Sequence, residues 1–156
     1  MPPIPGLRVF RSGIHGYGVL AGRDFEQGEV IADVDGILYR QEDIHDDRYA
    51  LWLDDGWYLD MLDQTRWINH SCEPNAWIDG GFREDGSPWA QVIALRSIRA
   101  GDELTYDYAF HAELAEPCAC GAKTCRGWIV DVEELPQLSA LLRERRVTGA
   151  ETAVEG

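Results

Sequence analysis

The spacing of the four cysteines constrains the fold more than any other feature of this chain. Cys72 stands alone, and Cys118, Cys120 and Cys125 follow together in one short segment. Four thiolates are the ligand set of a closed structural zinc site. Such a site contributes on the order of 10 kcal/mol of folding free energy in small peptides. The pattern therefore predicts a late loop that one zinc ion ties back to the region of Cys72.

Two other interpretations of the cysteines stay open at this point. Four cysteines could form two disulfides in three possible pairings, or Cys72 could simply be a buried thiol. However, residues 1–6 carry neither the charged nor the apolar part of a signal peptide, so reduced thiols inside a cell are expected. Zinc is the favoured interpretation.

Length and charge limit the class of function. The chain has 156 residues, which predicts one globular domain, and 14 basic against 28 acidic residues give a net charge of −14. An acidic surface repels nucleic-acid phosphates and attracts basic partners, although surplus carboxylates also simply maintain solubility. No apolar run is long enough to cross a bilayer. We expect an intracellular, cytoplasmic monomer (nuclear in a eukaryote) that contacts neither nucleic acid nor membrane.

Short strands dominate the predicted secondary structure. Apolar runs bounded by glycine predict strands within residues 7–40, a hairpin around Asp54-Asp55-Gly56, and strands over 90–95 and 103–106. Residues 80–88 are predicted as a turn region, and 41–48 as a short helix or loop. One helix is predicted late, because Pro136 suits a first turn and a leucine stripe follows at helical spacing: Leu135, Leu138, Leu141 and Leu142.

Three short motifs are weak signals when each is taken alone. Asn69 and His70 form a polar pair before Cys72, and such a pair is more often structural than catalytic. Gly16-Tyr17-Gly18 permits close approach of the backbone to another group, yet it is also a common turn. Tyr106 and Tyr108 share one face of an extended segment, which is usual for a core.

In combination and order, these motifs resemble the SET-domain protein lysine methyltransferases, most closely their trithorax-like branch. The resemblance runs from about residue 7 to residue 128 and rests on residues 11–20, 66–75, 101–108 and 117–128. It implies a mostly β, β-clip-like fold of several small sheets with a knot-like C-terminal threading. The implied divisions are a SET domain over 7–110, a zinc-binding post-SET segment over 114–130, a helix over 131–146 and a flexible tail over 147–156.

The resemblance also implies a reaction and a site. Methyl groups would pass from S-adenosylmethionine to a lysine amine of a basic protein, such as a histone or a ribosomal protein. The implied catalytic residues are Tyr108, beside the methyl-transfer channel, and Tyr106, which tunes the number of methyl groups. The implied zinc ligands are Cys72, Cys118, Cys120 and Cys125. The implied cofactor-binding residues are His15, Gly16, Tyr17, Gly18, Arg66, Asn69, His70, Tyr108 and Trp128.

Two departures from the family pattern leave an alternative function. Val34 stands where the family usually has a tyrosine, and the segment between Asp60 and Arg66 is shorter than usual. A non-catalytic module that binds a basic peptide would tolerate both changes. The retention of the polar pair and of both tyrosines favours the enzyme.

Overall fold

The computed structural model describes residues 3–43 and 48–154, so the segment predicted as a short helix or loop over 41–48 lies partly outside the described residues. The described chain is mostly β with one C-terminal helix, which confirms the predicted fold class. Its elements are β1 (Leu7–Arg11), β2 (Tyr17–Ala21), β3 (Val30–Asp33), β4 (Gly36–Arg40), β5 (Ala50–Asp54), β6 (Trp57–Met61), β7 (Asn69–His70), β8 (Ala76–Phe82), β9 (Pro88–Ala94), β10 (Thr105–Tyr106), β11 (Glu116–Pro117), β12 (Trp128–Ile129) and α1 (Leu135–Val154).

The strands form several small sheets rather than one large one. Two three-stranded sheets have the orders β3-β9-β8 and β4-β6-β5. Three two-stranded sheets join β1 to β2, β7 to β10, and β11 to β12. The pairs β1–β2, β3–β9, β8–β9, β4–β6, β5–β6 and β11–β12 are antiparallel.

The chain divides into two compact units that interleave along the sequence. The first unit contains the residues up to Asn69 together with Pro74–Tyr106, and the second contains His70–Glu73 together with the residues from Asp107 onward. The short segment that carries His70 and Cys72 thus belongs with the C-terminal part of the chain. The family boundaries predicted at 7–110 and 114–130, and the knot-like threading, stay predictions.

Strand β8 lies in a stretch that the sequence predicted partly as a turn. Its register with β9 runs without interruption from Ala76 opposite Ala94 to Phe82 opposite Pro88. Gly80 suggested a turn, but it lies inside this strand, where an added Cβ would come within 2.9 Å of Leu53 Cδ2. The glycine is needed for close packing, and the chain reverses only afterwards, where Arg83 N–H donates to Ser87 O at 2.9 Å.

The core of the first unit follows the alternation expected of half-buried strands. In β9, Ala90, Val92 and Ala94 are buried and the residues between them are only partly covered. Val34, where the resemblance leads us to expect a tyrosine, is itself buried in this core. The other fully or nearly fully buried members include Val19, Ile68, Ile98 and Leu104.

The second unit has its own small apolar core. Leu138 of α1 is buried with Ala112 and Val130, and the other leucines of the predicted stripe pack against them: Leu135, Leu141 and Leu142. The helix continues to Val154, past the expected end at 146 and into the segment predicted as a flexible tail. Within this extension the Thr148 hydroxyl donates to Glu144 O at 3.2 Å and to Arg145 O at 3.1 Å. No helix in the described ranges is both long and apolar enough to cross a membrane.

Candidate active site

The four cysteines come together in the second unit as a compact sulfur cluster. All four Sγ atoms lie within 4.8 Å of one another. Cys72 Sγ lies 3.9 Å from both Cys118 Sγ and Cys125 Sγ. Zinc with four Zn–S bonds of about 2.3 Å places its sulfurs roughly 3.8 Å apart. The cluster therefore fits one tetrahedral zinc ion, and all four cysteines are free rather than disulfide-bonded.

Backbone donors surround these sulfurs. Arg126 N–H donates to Cys72 Sγ and Gly127 N–H donates to Cys125 Sγ, each at 3.4 Å. Burial raises the pKa of Cys118 to about 12. For Cys120, burial opposes ionisation, but hydrogen bonds from backbone N–H groups outweigh it and lower the pKa to about 6. A bound divalent cation would favour the thiolate form of all four.

His70 connects this cluster to Tyr108. Its Nδ1 accepts a hydrogen bond from Tyr108 N–H at 3.1 Å, and its Nε2 lies 3.4 Å from Cys72 Sγ. Burial lowers the pKa of His70 to about 4, although the nearby Asp107 carboxylate opposes that shift. The neutral ring, accepting at Nδ1, must carry its proton on Nε2 and so can donate it to the sulfur.

Tyr108 is held by ring contacts as well as through its backbone. Its ring meets the His70 ring edge-on, with centroids 5.4 Å apart, and lies 5.6 Å from the Phe110 ring. The preceding Asp107 binds the Arg126 guanidinium at 2.8 Å, which ties the tyrosine segment to the loop of zinc ligands. Trp128, on β12, is half-buried and packs against the small core around Val130.

Asn69 has a defined orientation in the first unit. Its Nδ2 donates to His15 O at 3.2 Å, to Tyr17 O at 2.9 Å and to Glu103 Oε1 at 3.0 Å. These carbonyls belong to the segment that includes Gly16, whose φ is +48°. Within the described parts of the chain, no hydrogen bond reaches Asn69 Oδ1, so this oxygen can accept one from a ligand.

An aromatic cluster surrounds Arg66 in the same unit. The guanidinium lies over the Tyr49 ring at 4.3 Å and near the Trp67 ring at 5.3 Å. The Tyr17 ring meets Trp67 edge-on at 5.6 Å. Arg66 Nε is buried and has no hydrogen-bond partner among the described residues. A buried donor without a partner is costly, and an anionic ligand group would satisfy it.

Sequence reasoning did not predict Glu103, which contacts Asn69, or Ser12, which contacts Glu103, as site residues. Glu103 Oε1 accepts from Ser12 Oγ at 2.7 Å in addition to its bond with Asn69. The available signal was a carboxylate directly before the buried Leu104, within the segment 101–108 that the resemblance had already marked. Tyr106, which was predicted, lies half-buried on β10 and packs against the core of the first unit.

The family follows from a direct match. Residues 16–109 match the model of the SET domain, which is more than half of the chain. The chain belongs to the SET-domain family.

Several curated relatives are histone-lysine methyltransferases. The chain is 38% identical over 140 residues to human histone-lysine N-methyltransferase 2B, covering 78% of this chain and 5% of that protein. It is 38% identical over 135 residues to histone-lysine N-methyltransferase trithorax of Drosophila virilis, covering 78% and 4%. It is 36% identical over 143 residues to an H3 lysine-4 specific enzyme of Cryptococcus neoformans, covering 79% and 10%. The chain thus spans a tenth or less of the length of these three relatives, and the predicted trithorax-like character is confirmed.

A solved structure supports the same fold. The crystal structure of KRYPTONITE in complex with mCHH DNA, an H3(1-15) peptide and SAH matches with a TM-score of 0.69 at 27% identity. The match covers 79% of this chain and 29% of that one.

Proposed function

We propose that this chain is an S-adenosylmethionine-dependent protein-lysine N-methyltransferase that contains one structural zinc ion. The observation that carries the proposal is the orientation of Asn69, whose Nδ2 is fully engaged while its Oδ1 is left to accept from a ligand. A buried side-chain amide usually has hydrogen-bond partners at both ends, and Asn69 is buried. Membership of the SET family and the names of the relatives support the same activity.

The polar atoms of the first unit fit the amino-acid end of the cofactor. That end carries an ammonium group, which needs acceptors, and a carboxylate, which needs donors. Asn69 Oδ1 offers an acceptor, and the buried Arg66 Nε offers a donor without a partner in the described chain. We therefore propose Arg66 and Asn69 as cofactor ligands.

The remaining cofactor residues are proposed on the resemblance. They are His15, Gly16, Tyr17 and Gly18 in the first unit, and His70, Tyr108 and Trp128 in the second. Tyr17 is 48% exposed, so a flat ligand could stack on its ring. The zinc ligands proposed are the four cysteines of the sulfur cluster, which hold the segment of Tyr108 through His70 and Arg126.

The proposed reaction requires the protein to position a neutral lysine amine. S-adenosylmethionine, when bound, supplies a methyl group activated by a positive sulfonium. A free lysine at neutral pH must lose a proton at a cost of roughly 4–5 kcal/mol, and apolar surroundings reduce that cost. Phe110 provides an apolar ring beside Tyr108. We assign the Tyr108 hydroxyl the role of orienting the amine, because positioning alone can supply several kcal/mol of the barrier reduction. Tyr106 is proposed to limit the number of methyl groups.

The proposed substrate is a lysine in a basic protein segment, with a histone tail as the first candidate. A net charge of −14 attracts such a segment. Relatives are named for H3 lysine 4, and the KRYPTONITE structure contains an H3 peptide. Ribosomal and other basic proteins share the same chemistry and belong in the same assay.

The first experiment titrates the zinc-loaded chain with S-adenosylmethionine in a calorimeter. One-to-one binding that is strongly weakened in Asn69→Ala supports the cofactor site, and no binding by the intact folded chain refutes it. The second assays methyl transfer to histone H3 and to a ribosomal protein extract. Tyr108→Phe should bind cofactor but lose most transfer, whereas Tyr39→Phe, which removes a phenol from β4, should retain it. Cofactor-independent binding of basic peptides without transfer would favour the non-catalytic module.

A further inference from the structure

We propose that Glu103 is a positioning residue that aims the Asn69 side chain at the cofactor. The inference rests on the proposed function, because it assigns the ligand-facing atom of Asn69. One carboxylate oxygen of Glu103 sets which end of the Asn69 amide meets the ligand. That end is thereby an obligate hydrogen-bond acceptor.

The acceptors around Asn69 allow only one amide orientation. Its Nδ2 faces three oxygens, of which two are backbone carbonyls and one is the Glu103 carboxylate. If the amide were flipped, Oδ1 would face three acceptors and no donor. A carboxylate makes that orientation most costly, because it carries a full negative charge and has no proton to donate. The ligand group that meets Asn69 must therefore be a donor, as an ammonium is.

Glu103 is itself held firmly enough to act in this way. Its backbone oxygen accepts from Asn75 Nδ2 at 2.9 Å. The next residue, Leu104, donates its N–H to Val19 O at 2.8 Å, and Asp102 O accepts from Ala21 N–H at 2.8 Å. The side chain extends over Gly18, where an added Cβ would collide with Glu103 Oε1. The glycine at position 18 thus makes room for this carboxylate.

The same carboxylate oxygen also orders the neighbouring loop. Ser12 Oγ donates to Glu103 and accepts from Ile14 N–H at 2.9 Å. Ser12 N–H donates to Gly16 O at 2.9 Å, which closes the loop over residues 12–16. Glu103 therefore has two separable effects, one on Asn69 and one on this loop. Ser12→Ala removes only the second.

The affinity test is a double-mutant cycle measured by calorimetric titration of the zinc-loaded chain with S-adenosylmethionine. Glu103→Gln should weaken binding about tenfold or more, the usual effect of losing a charge-assisted hydrogen bond. Glu84→Gln removes the same charge from an exposed position and should bind like the parent. In a background that carries both Ser12→Ala and Asn69→Ala, Glu103→Gln should change affinity by less than about twofold, because both of its side-chain partners are gone. An unchanged affinity in Glu103→Gln, or full additivity in that background, would overturn the proposal.

A second measurement needs no cofactor and therefore separates this inference from the proposed function. The chain has only two asparagines, Asn69 and Asn75, so asparagine-selective ¹⁵N labelling yields two side-chain amide pairs that Asn69→Ala assigns. We expect slow hydrogen exchange of the Asn69 side-chain amide in the parent. In Glu103→Gln we expect a large change in the chemical shifts of this amide. Asn75 is the internal control, since its Nδ2 bonds the backbone of residue 103 rather than its side chain.

The outcomes of this measurement are distinct. An Asn69 pair that is unmoved by Glu103→Gln overturns the inference, even if the parent binds cofactor. If Glu103→Gln does not fold, the parent alone still tests the inference. Hydrogen exchange of the Asn69 side-chain amide at the rate of a solvent-exposed amide would overturn the inference equally. A parent that shows the expected amide signals but binds no cofactor refutes the proposed function instead.

Discussion

Replacing Gly18 by alanine should destabilise the first unit through a contact that can be identified atom by atom. A Cβ at this position would collide with Glu103 Oε1 and would lie 2.9 Å from Phe10 Cε1 and 3.0 Å from Ser12 Cβ. Gly18 is buried, so the methyl group cannot move into solvent. The carboxylate would have to leave, and with it the hydrogen bonds from Ser12 and Asn69.

The expected size of this effect follows from two contributions. Overpacking a filled site costs about 1–3 kcal/mol, and a hydrogen bond to a charged acceptor contributes about 1.5 kcal/mol or more. A total loss of about 3 kcal/mol is expected. In a domain of this size that corresponds to a fall in Tm of about 6–12 °C.

Gly13 provides a matched control in the same loop region. An added Cβ there has no atom within 4 Å. Gly13→Ala should change the free energy of unfolding by about 1 kcal/mol or less, in the stabilising direction, because alanine restricts the unfolded chain.

The assay is thermal unfolding of both zinc-loaded variants followed by circular dichroism, with cofactor titration on each. Gly18→Ala should melt well below Gly13→Ala and bind cofactor more weakly. Equal melting temperatures for the two variants would refute the packing of Glu103 over Gly18.

Three further predictions concern the second unit. In the structure, Cys118 N–H and Cys125 N–H donate to backbone carbonyls. Removing zinc with a chelator should abolish the hydrogen-exchange protection of these two N–H groups. Adding back zinc, but not magnesium, should restore the protection. His70→Ala should weaken zinc retention at least about tenfold in competition with a chromophoric chelator, because the hydrogen bond from His70 Nε2–H to Cys72 Sγ is lost. Unchanged zinc retention would contradict this role of His70. Hydrogen bonds from His111 and from Ala112 N–H lower the pKa of Glu134. The Glu134 carboxylate should therefore stabilise the fold at pH values above the ordinary pKa of a glutamate. This stabilisation should be lost as the pH falls through the lowered pKa. Melting temperatures across this range should therefore depend less on pH in Glu134→Gln than in the parent.

Local patterns predicted several elements correctly. The leucine stripe of α1 needed only helical spacing, and it packs as expected around Leu138. The hairpin at Asp54-Asp55-Gly56 needed only its turn residues, and β5 and β6 flank it. Here the residues that form each element are neighbours in the sequence, so their pattern is sufficient.

Strand β8 shows where local patterns fail. Gly80 and Gly81 are typical of a turn, yet they pair with Ala90 and Trp89 in a continuous ladder. An added Cβ at position 80 would lie 2.9 Å from Leu53 Cδ2, on a strand of another sheet, and 3.0 Å from Trp89 O, so a side chain there would force its neighbours to shift. A strand that needs glycine for packing against a distant residue cannot be distinguished from a turn by its own sequence.

The sequence by itself determined which residues could hold a metal ion, because it has only four cysteines and three of them lie in one loop. The family motifs are continuous segments of the sequence, so the sequence also identified every residue assigned to the site under the proposed function. Only the tertiary structure decided how those residues act: it placed Glu103 against Ser12 and Asn69, which are 91 and 34 residues away along the chain. The orientation of an amide and the partner of a carboxylate depend on such long-range neighbours, and spacing along the chain does not encode them.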